Sequence, residues 1–136
     1  MKTTDLTAYI RQKMPLCETM GIHAEKLDAG EVILWLDWST GLCTSNDMLH
    51  GGTVMALADS AGGAAAMANL PDGAVGTSTI ESKTNFLGAI RGGQVIATSR
   101  PLHVGSSTIV IETEIRNNDK LVAKVTQTQT VLRPRD

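Results

Sequence analysis

The sequence predicts an α+β fold in which a curved antiparallel sheet of about six strands wraps around one long central helix. Two observations lead to this expectation. Small apolar residues with helical spacing cover 53–70, and strand-like segments lie on both sides of them, so the predicted order is α, β, β, α, β, β, β, β. With 136 residues, the chain has the size of one domain with one core. We expect a single domain over residues 1–136.

The chain before the central helix predicts one short helix and one hairpin. Residues 1–15 form the expected N-terminal helical segment, which Thr4 or Asp5 caps and Pro15 ends. The expected hairpin has a strand over 21–26, a turn at 28–30 and a second strand over 31–38. A polar, irregular loop over 39–47 follows.

The central helix, 53–70, is expected to be slender and to bury one face. That face consists of small and aliphatic side chains at helical spacing: Val54, Leu57, Ala58, Ala61, Ala65 and Ala68. Because most of them are alanine, a sheet can wrap closely around the helix. Pro71 and Gly73 are turn residues that end it.

Four strands are expected after the helix, over 76–87, 94–102, 107–116 and 121–132. In the third, apolar residues such as Ile109 and Ile111 alternate with charged residues such as Glu112 and Glu114, which predicts one buried and one solvated face. The turn 117–119 is a strong hairpin signal. A sheet that curls around one helix keeps open edges, so we expect the protein to dimerise by pairing edge strands.

Composition and charge exclude several classes of function. The chain has 12 Lys and Arg against 14 Asp and Glu, so it lacks the basic patch of a nucleic-acid-binding protein. Its beginning lacks the apolar block of a secretory signal, and its most apolar stretch is too interrupted to span a membrane, which favours a cytoplasmic protein. Cys17 and Cys43 are interpreted as isolated structural thiols. No metal site is expected, because the three histidines lie far apart without other ligands at suitable spacing. No cofactor is expected, because the sequence has neither a GxGxxG motif nor a P-loop.

The stretch from His50 to Asp59 carries the chemistry. Gly51 and Gly52 open the predicted helix, where free backbone N–H groups stabilise developing negative charge. Asp59 is the one carboxylate on this apolar helix, and a carboxylate among such neighbours is costly to bury unless it is hydrogen-bonded or functional. The combination indicates acyl transfer, with Asp59 as general base or nucleophile.

Two passages, Met48–Gly52 and Leu57–Ser60, resemble the signature of the hotdog-fold acyl-CoA thioesterases of the phenylacetate-pathway type, which are similar to 4-hydroxybenzoyl-CoA thioesterase. The resemblance covers roughly residues 15–132. Further matches occur at Leu16–Gly21, Gly30, Asn85–Leu87, Gly93, His103–Gly105 and Leu121–Ala123. The resemblance implies a sheet wrapped around a central helix, assembly into homodimers or homotetramers, and metal-free hydrolysis of acyl-CoA.

The resemblance also implies roles for particular residues. Asp59 becomes the catalytic carboxylate, the Gly51 N–H polarises the thioester carbonyl, and His50 helps shape the turn. Apart from the resemblance, the imidazole of His50 leaves open a second role as a catalytic acid or base. The implied substrate-binding residues are Thr44, Asn46, Ser78, Gly52, Gly105 and Ser106. Removal of Asp59 is expected to cost more activity than removal of Ser78.

The chain departs from the family pattern at two places. Family members commonly carry Asn or Gln six residues before the histidine, where this chain has Thr44, with Asn46 two residues later. They often carry basic residues after the equivalent of His103–Gly105, where this chain has Ser106 and Ser107. Contacts with CoA phosphates then depend on basic residues elsewhere.

Helix geometry predicts that the two halves of the site belong to different subunits. Gly51 and Asp59 are eight residues apart, about 12 Å along a helix, which is too far for both to meet one carbonyl. Gly51 of one subunit is therefore expected to work with Asp59 of another.

Two alternatives to thioester hydrolysis remain. The first is acyl-CoA hydration or dehydration, which needs a His on the helix besides Asp59. The second is an acyl-CoA-binding or regulatory module without turnover.

Overall fold

The computed structural model describes residues 2–135, so Met1 and Asp136, the two ends of the predicted domain, lie outside it. Three α-helices and six strands are present in this part of the chain. They are α1 (Thr3–Lys13), α2 (Pro15–Met20), β1 (His23–Leu27), β2 (Val32–Asp37), α3 (Gly51–Met67), β3 (Gly76–Phe86), β4 (Gln94–Val104), β5 (Thr108–Asn117) and β6 (Lys120–Leu132). None of the described helices is long and apolar enough to cross a bilayer.

The six strands form one antiparallel sheet in the order β1-β2-β4-β5-β6-β3. Helix α3 packs against five of them, β2 to β6, and the sheet curves around it. The predicted fold class is therefore confirmed. Strand β3 lies at one edge of the sheet and β1 at the other, and β3 pairs only with β6 among the described residues.

The core lies between α3 and the concave face of the sheet. The inner row of β5 is fully buried, as its alternation predicted: Ile109, Ile111, Thr113 and Ile115 are each 0% exposed. Across the β4–β5 pair, the hydroxyls of Ser99 and Thr113 share a hydrogen bond of 2.6 Å. The β5–β6 turn has the positive φ values of a two-residue hairpin, 51° at Asn118 and 61° at Asp119.

The central helix begins and ends earlier than the predicted 53–70. It starts at Gly51 because the His50 side chain accepts a hydrogen bond from the Gly52 N–H and so caps the first turn. It ends at Met67, since the Asn69 amide donates to the carbonyls of Ala65 and Ala29 at 2.8 Å each and draws the chain away from the helix axis. Ala68, predicted to be buried, is consequently exposed.

The N-terminal segment contains two helices where the sequence predicted one over 1–15. Helix α1 starts at Thr3 after Lys2, without a side-chain cap from Thr4 or Asp5. Pro15 ends the first helix as expected, but it also occupies the first position of α2, where its fixed φ and missing N–H are favourable. Gly21, with φ of 68°, closes α2 in the left-handed conformation.

Both cysteines are free thiols. Cys17 is 0% exposed, and burial raises the pKa of its thiol despite a hydrogen bond from Ser60 and the charge of Arg11. Cys43 is half-buried, and its pKa is also raised, by desolvation and then by the Asp47 carboxylate. Both thiols are therefore poor nucleophiles at neutral pH.

Candidate active site

The start of α3 is held by a cap that requires glycine at position 52. His50 has the extended backbone of a cap residue, and its Nδ1 accepts a hydrogen bond from the Gly52 N–H at 2.7 Å. A Cβ at Gly52 would lie 2.9 Å from that Nδ1, so a side chain there would displace the imidazole. Because Nδ1 is the acceptor, His50 in this arrangement shapes the turn.

The Gly51 N–H is a free donor at the positive end of α3. It makes no hydrogen bond with any of the residues 2–135, and it lies at the first helical position, where the helix dipole favours negative charge. Gly51 borders a cavity of about 330 Å³. The cavity is mainly apolar, with Met48, Leu49, Val54, Phe86, Ile90 and Val122 among its lining residues. A free N–H beside an apolar cavity is suited to polarising a carbonyl oxygen.

Asp59 is exposed in the single chain. Its apolar neighbours Leu57, Ala58 and Ala61 turn toward the core, are 0% exposed and do not enclose it. Its carboxylate is nevertheless held in place, because Oδ1 accepts hydrogen bonds from Thr79 Oγ1 at 2.8 Å and from Gln127 Nε2 at 3.0 Å.

The hydroxyl beside Asp59 belongs to Thr79, whereas the sequence analysis singled out Ser78. Thr79 pairs with Gln129 and shares the inner face of the sheet with it, while Ser78 pairs with Thr130 on the opposite face. A β-bulge follows Thr79 and inserts Ile80 into β3. Within one chain, Ser78 therefore points away from Asp59.

The structure does not bring Gly51 and Asp59 together. Both lie on one continuous helix, α3, eight residues apart, which corresponds to about 12 Å along its axis. Gly51 lies near Phe86 at the end of β3, and Asp59 lies near Thr79 in its first half. Each chain thus presents two separate half-sites along the same edge of the sheet.

The loop before α3 places Thr44 near the first half-site. Thr44 lines the cavity beside Gly51, together with Met48. Asn46 is exposed and adopts a left-handed conformation with φ of 62°, and its carbonyl accepts a hydrogen bond from Arg91 Nη1 at 3.0 Å. Met55 is 42% exposed and does not line this cavity.

Gly51 lies near the Phe86 end of β3, and Gly105 and Ser106 lie near the opposite end. The carbonyl of the adjoining Ser107 accepts a hydrogen bond from the Val131 N–H, and Val131 pairs with Thr77 at the start of β3. A Cβ at Gly105 would lie 2.7 Å from His103 Nε2. Arg133 donates from Nη2 to the Ser106 carbonyl at 2.9 Å. The Gly105–Ser106 turn has no basic residue of its own, but the Arg133 guanidinium contacts it. This contact was not predicted from the sequence.

Comparison with known proteins supports the interpretation of the fold and of the family. The model of the thioesterase superfamily matches residues 46–124. The 1,4-dihydroxy-2-naphthoyl-CoA hydrolase of Listeria monocytogenes is 32% identical over 103 residues, which cover 75% of this chain and 82% of that protein.

Solved structures share this fold. A conserved protein of Pseudomonas aeruginosa is 30% identical and superposes with a TM-score of 0.81 over 90% of this chain and 98% of its own. A thioesterase of Haemophilus influenzae, 22% identical, shares the fold with a TM-score of 0.87 over 98% of this chain and 92% of its own. The sheet wrapped around α3 is thus the hotdog fold, and the chain belongs to the thioesterase superfamily.

Proposed function

We propose that the protein hydrolyses acyl-CoA, or a related pantetheine thioester, to the free acid and CoA. The free Gly51 N–H beside an apolar cavity is the observation that carries this proposal. Asp59, exposed and held by two hydrogen bonds, supplies the second chemical group. Membership of the thioesterase superfamily supports hydrolysis over the non-enzymatic alternative of an acyl-CoA-binding module.

In the proposed mechanism, the thioester carbonyl accepts a hydrogen bond from the Gly51 N–H. Asp59 either removes a proton from the attacking water or attacks the carbonyl carbon itself to form a mixed anhydride, which water then hydrolyses. In both routes the C–S bond breaks and CoA leaves as its thiolate. Negative charge on the carbonyl oxygen is stabilised by the Gly51 N–H, a contribution of about 3 kcal/mol for such a donor.

The site requires two subunits in this proposal. Gly51 of one subunit and Asp59 of another meet one thioester, because about 12 Å separates the two residues along α3 in a single chain. Ser78, on the outer face of β3, and the Gly105–Ser106 turn with Arg133 are then available to substrate bound across the interface. The roles of Ser78, Gly105 and Ser106 follow from the resemblance and stay predictions, and Arg133 is added because it donates to the Ser106 carbonyl.

Edge strand β3 is the surface that we propose for this pairing. It is 11 residues long, and in the single chain its outer backbone groups have no strand to pair with among the described residues. Exposed apolar side chains lie on it, with Ile80 61% and Phe86 53% exposed. Pairing of two β3 strands would extend the sheet across the dimer and remove an edge that invites association.

We expect the purified protein to sediment as a dimer or a larger even-numbered assembly. The expected cause is backbone pairing along β3 together with burial of Ile80 and Phe86. Sedimentation velocity over a range of protein concentrations measures the mass. A monomer that turns over acyl-CoA at the full rate would contradict the shared site.

A substrate panel tests the proposed activity. The panel contains short and medium aliphatic acyl-CoA and aryl-CoA thioesters, including 1,4-dihydroxy-2-naphthoyl-CoA because of the Listeria relative. Release of CoA is followed with a thiol reagent. Enzyme without substrate provides the background rate, because the partly exposed Cys43 also reacts slowly with the reagent. Turnover that disappears in Asp59→Ala supports the proposal. Equal, slow release by the wild type and Asp59→Ala would refute hydrolysis, and tight binding without turnover would favour the binding module.

A further inference from the structure

A buried glutamine on β6 lies directly beneath Asp59. Gln127 is 0% exposed, and its one side-chain hydrogen bond among the described residues runs from Nε2 to Asp59 Oδ1 at 3.0 Å. Its Oε1 is buried without a partner in the same part of the chain. An unpaired buried oxygen is unfavourable for stability, so stability alone does not explain a glutamine at this core position.

The backbone of α3 makes room for this amide at Gly62. A Cβ built on Gly62 would lie 2.1 Å from Gln127 Oε1 and 2.5 Å from its Cδ, so the amide occupies the space of the missing side chain. Glycine weakens a helix interior relative to alanine. The adjacent Gly63 has no atom within 4 Å of a built Cβ, and the close approach is therefore specific to position 62.

A second donor reaches the same carboxylate oxygen from β3. Thr79 Oγ1 donates to Asp59 Oδ1 at 2.8 Å, and it accepts from Gln129 Nε2 at 2.5 Å. Because Gln129 donates to the threonine oxygen, the threonine proton is directed at Asp59. Gln129 is 1% exposed, so this chain of hydrogen bonds also begins in the core.

We propose that Gln127, seated on Gly62, and Thr79, oriented by Gln129, are positioning residues that fix Oδ1 of Asp59 and leave Oδ2 as the reacting oxygen. The proposal rests on the proposed catalytic role of Asp59. In the base route Oδ2 receives the proton of water; in the nucleophilic route the bond to the acyl carbon forms at Oδ2 as the bond to sulfur breaks. Holding the carboxylate before substrate arrives removes the cost of orienting it in the transition state.

Replacement of the amide by an apolar chain of the same length tests the proposal. Gln127→Met is expected to lower kcat by about 10- to 100-fold, with KM for the best acyl-CoA within about threefold of the wild type, because substrate contacts are unchanged. The melting temperature is expected to stay the same or rise, since the unpaired Oε1 is removed. A structural role alone predicts the reverse: a lower melting temperature with kcat retained in the folded fraction.

The two adjacent glycines provide a matched pair. Gly62→Ala and Gly63→Ala each add one methyl group to the same helix, but only the first meets the Gln127 amide. Gly62→Ala is expected to lower kcat about as much as Gln127→Met, while Gly63→Ala keeps the wild-type rate. In the double variant Gly62→Ala/Gln127→Ala, the loss is expected to equal that of Gln127→Ala alone, because both changes act through one contact.

Two substitutions of Thr79 test the proposal independently of Gln127. Thr79→Val keeps the shape without the hydroxyl and is expected to lose kcat, whereas Thr79→Ser keeps the hydroxyl and most of the rate. Wild-type kcat in both Gln127→Met and Thr79→Val would overturn the positioning proposal while leaving Asp59-dependent hydrolysis intact. If the wild type itself shows no hydrolysis that depends on Asp59, the proposed function fails instead, so the two failures are distinguishable.

Discussion

Asp59→Asn is expected to lower kcat for acyl-CoA hydrolysis by about 10³- to 10⁴-fold. The asparagine oxygen can still accept hydrogen bonds from Thr79 and Gln127, so the local structure survives. The amide cannot take a proton from water or attack the thioester, and the reaction loses its base or nucleophile in either route. Steady-state kinetics with the best substrate of the panel measure the loss.

Asp37→Asn is the matched control, because Asp37 is an exposed carboxylate at the end of β2 that has no part in the proposed site. It is expected to keep the wild-type rate, and both variants are expected to melt near the wild-type temperature. A kcat for Asp59→Asn above about a tenth of the wild-type value would be too high for a catalytic carboxylate.

Gly51→Pro is expected to lower kcat by about 10²- to 10³-fold through the loss of one N–H group. Proline is well tolerated at the first position of a helix, where its missing N–H breaks no intrahelical bond. His50, the residue before it, has φ of −64° and ψ of 136°, which is the extended region that a residue before proline prefers. The substitution therefore removes the donor with little strain on the backbone.

Gly51→Ala separates the N–H from the bulk of a side chain. Its Cβ would lie 3.2 Å from Phe86 Cζ, a contact that is relieved when the ring at the end of this side chain shifts by a few tenths of an ångström. The alanine variant is expected to stay within about threefold of the wild-type rate, because the N–H is kept. Equal losses in the alanine and proline variants would assign the effect to crowding and not to the donor.

The architecture could be predicted because its signals are local. The alternation that starts at Ile109 marks one buried face, and Asn118 and Asp119 supply the turn that two paired strands need. The helix limits were less accurate, because they depend on contacts of the His50 and Asn69 side chains that no local pattern records. The second helix after Pro15 was missed because proline indicates an end as readily as a start.

The candidate site was predicted in part. The motif around Gly51 and Asp59 was found, but the partners of Asp59 were not, since they come from β3 and β6. The bulge after Thr79 decides which hydroxyl faces inward, and a bulge has no clear mark in this sequence. One signal for Gln127 and Gln129 was present in the sequence. They follow Val125 at alternate positions of β6 and so share its inner face, where polar side chains have to be buried and hydrogen-bonded.

Mixing two inactive variants tests the shared site most directly. Subunits of Asp59→Asn, which keep Gly51, are combined with subunits of Gly51→Pro, which keep Asp59, and exchange is verified with differently tagged chains. A site built from Gly51 of one subunit and Asp59 of another predicts that an equal mixture recovers about a quarter of the wild-type activity, because half of the dimers are mixed and each has one intact site. A site contained within one chain predicts no recovery, and activity that stays at the level of the separate variants after full exchange would contradict a catalytic dimer.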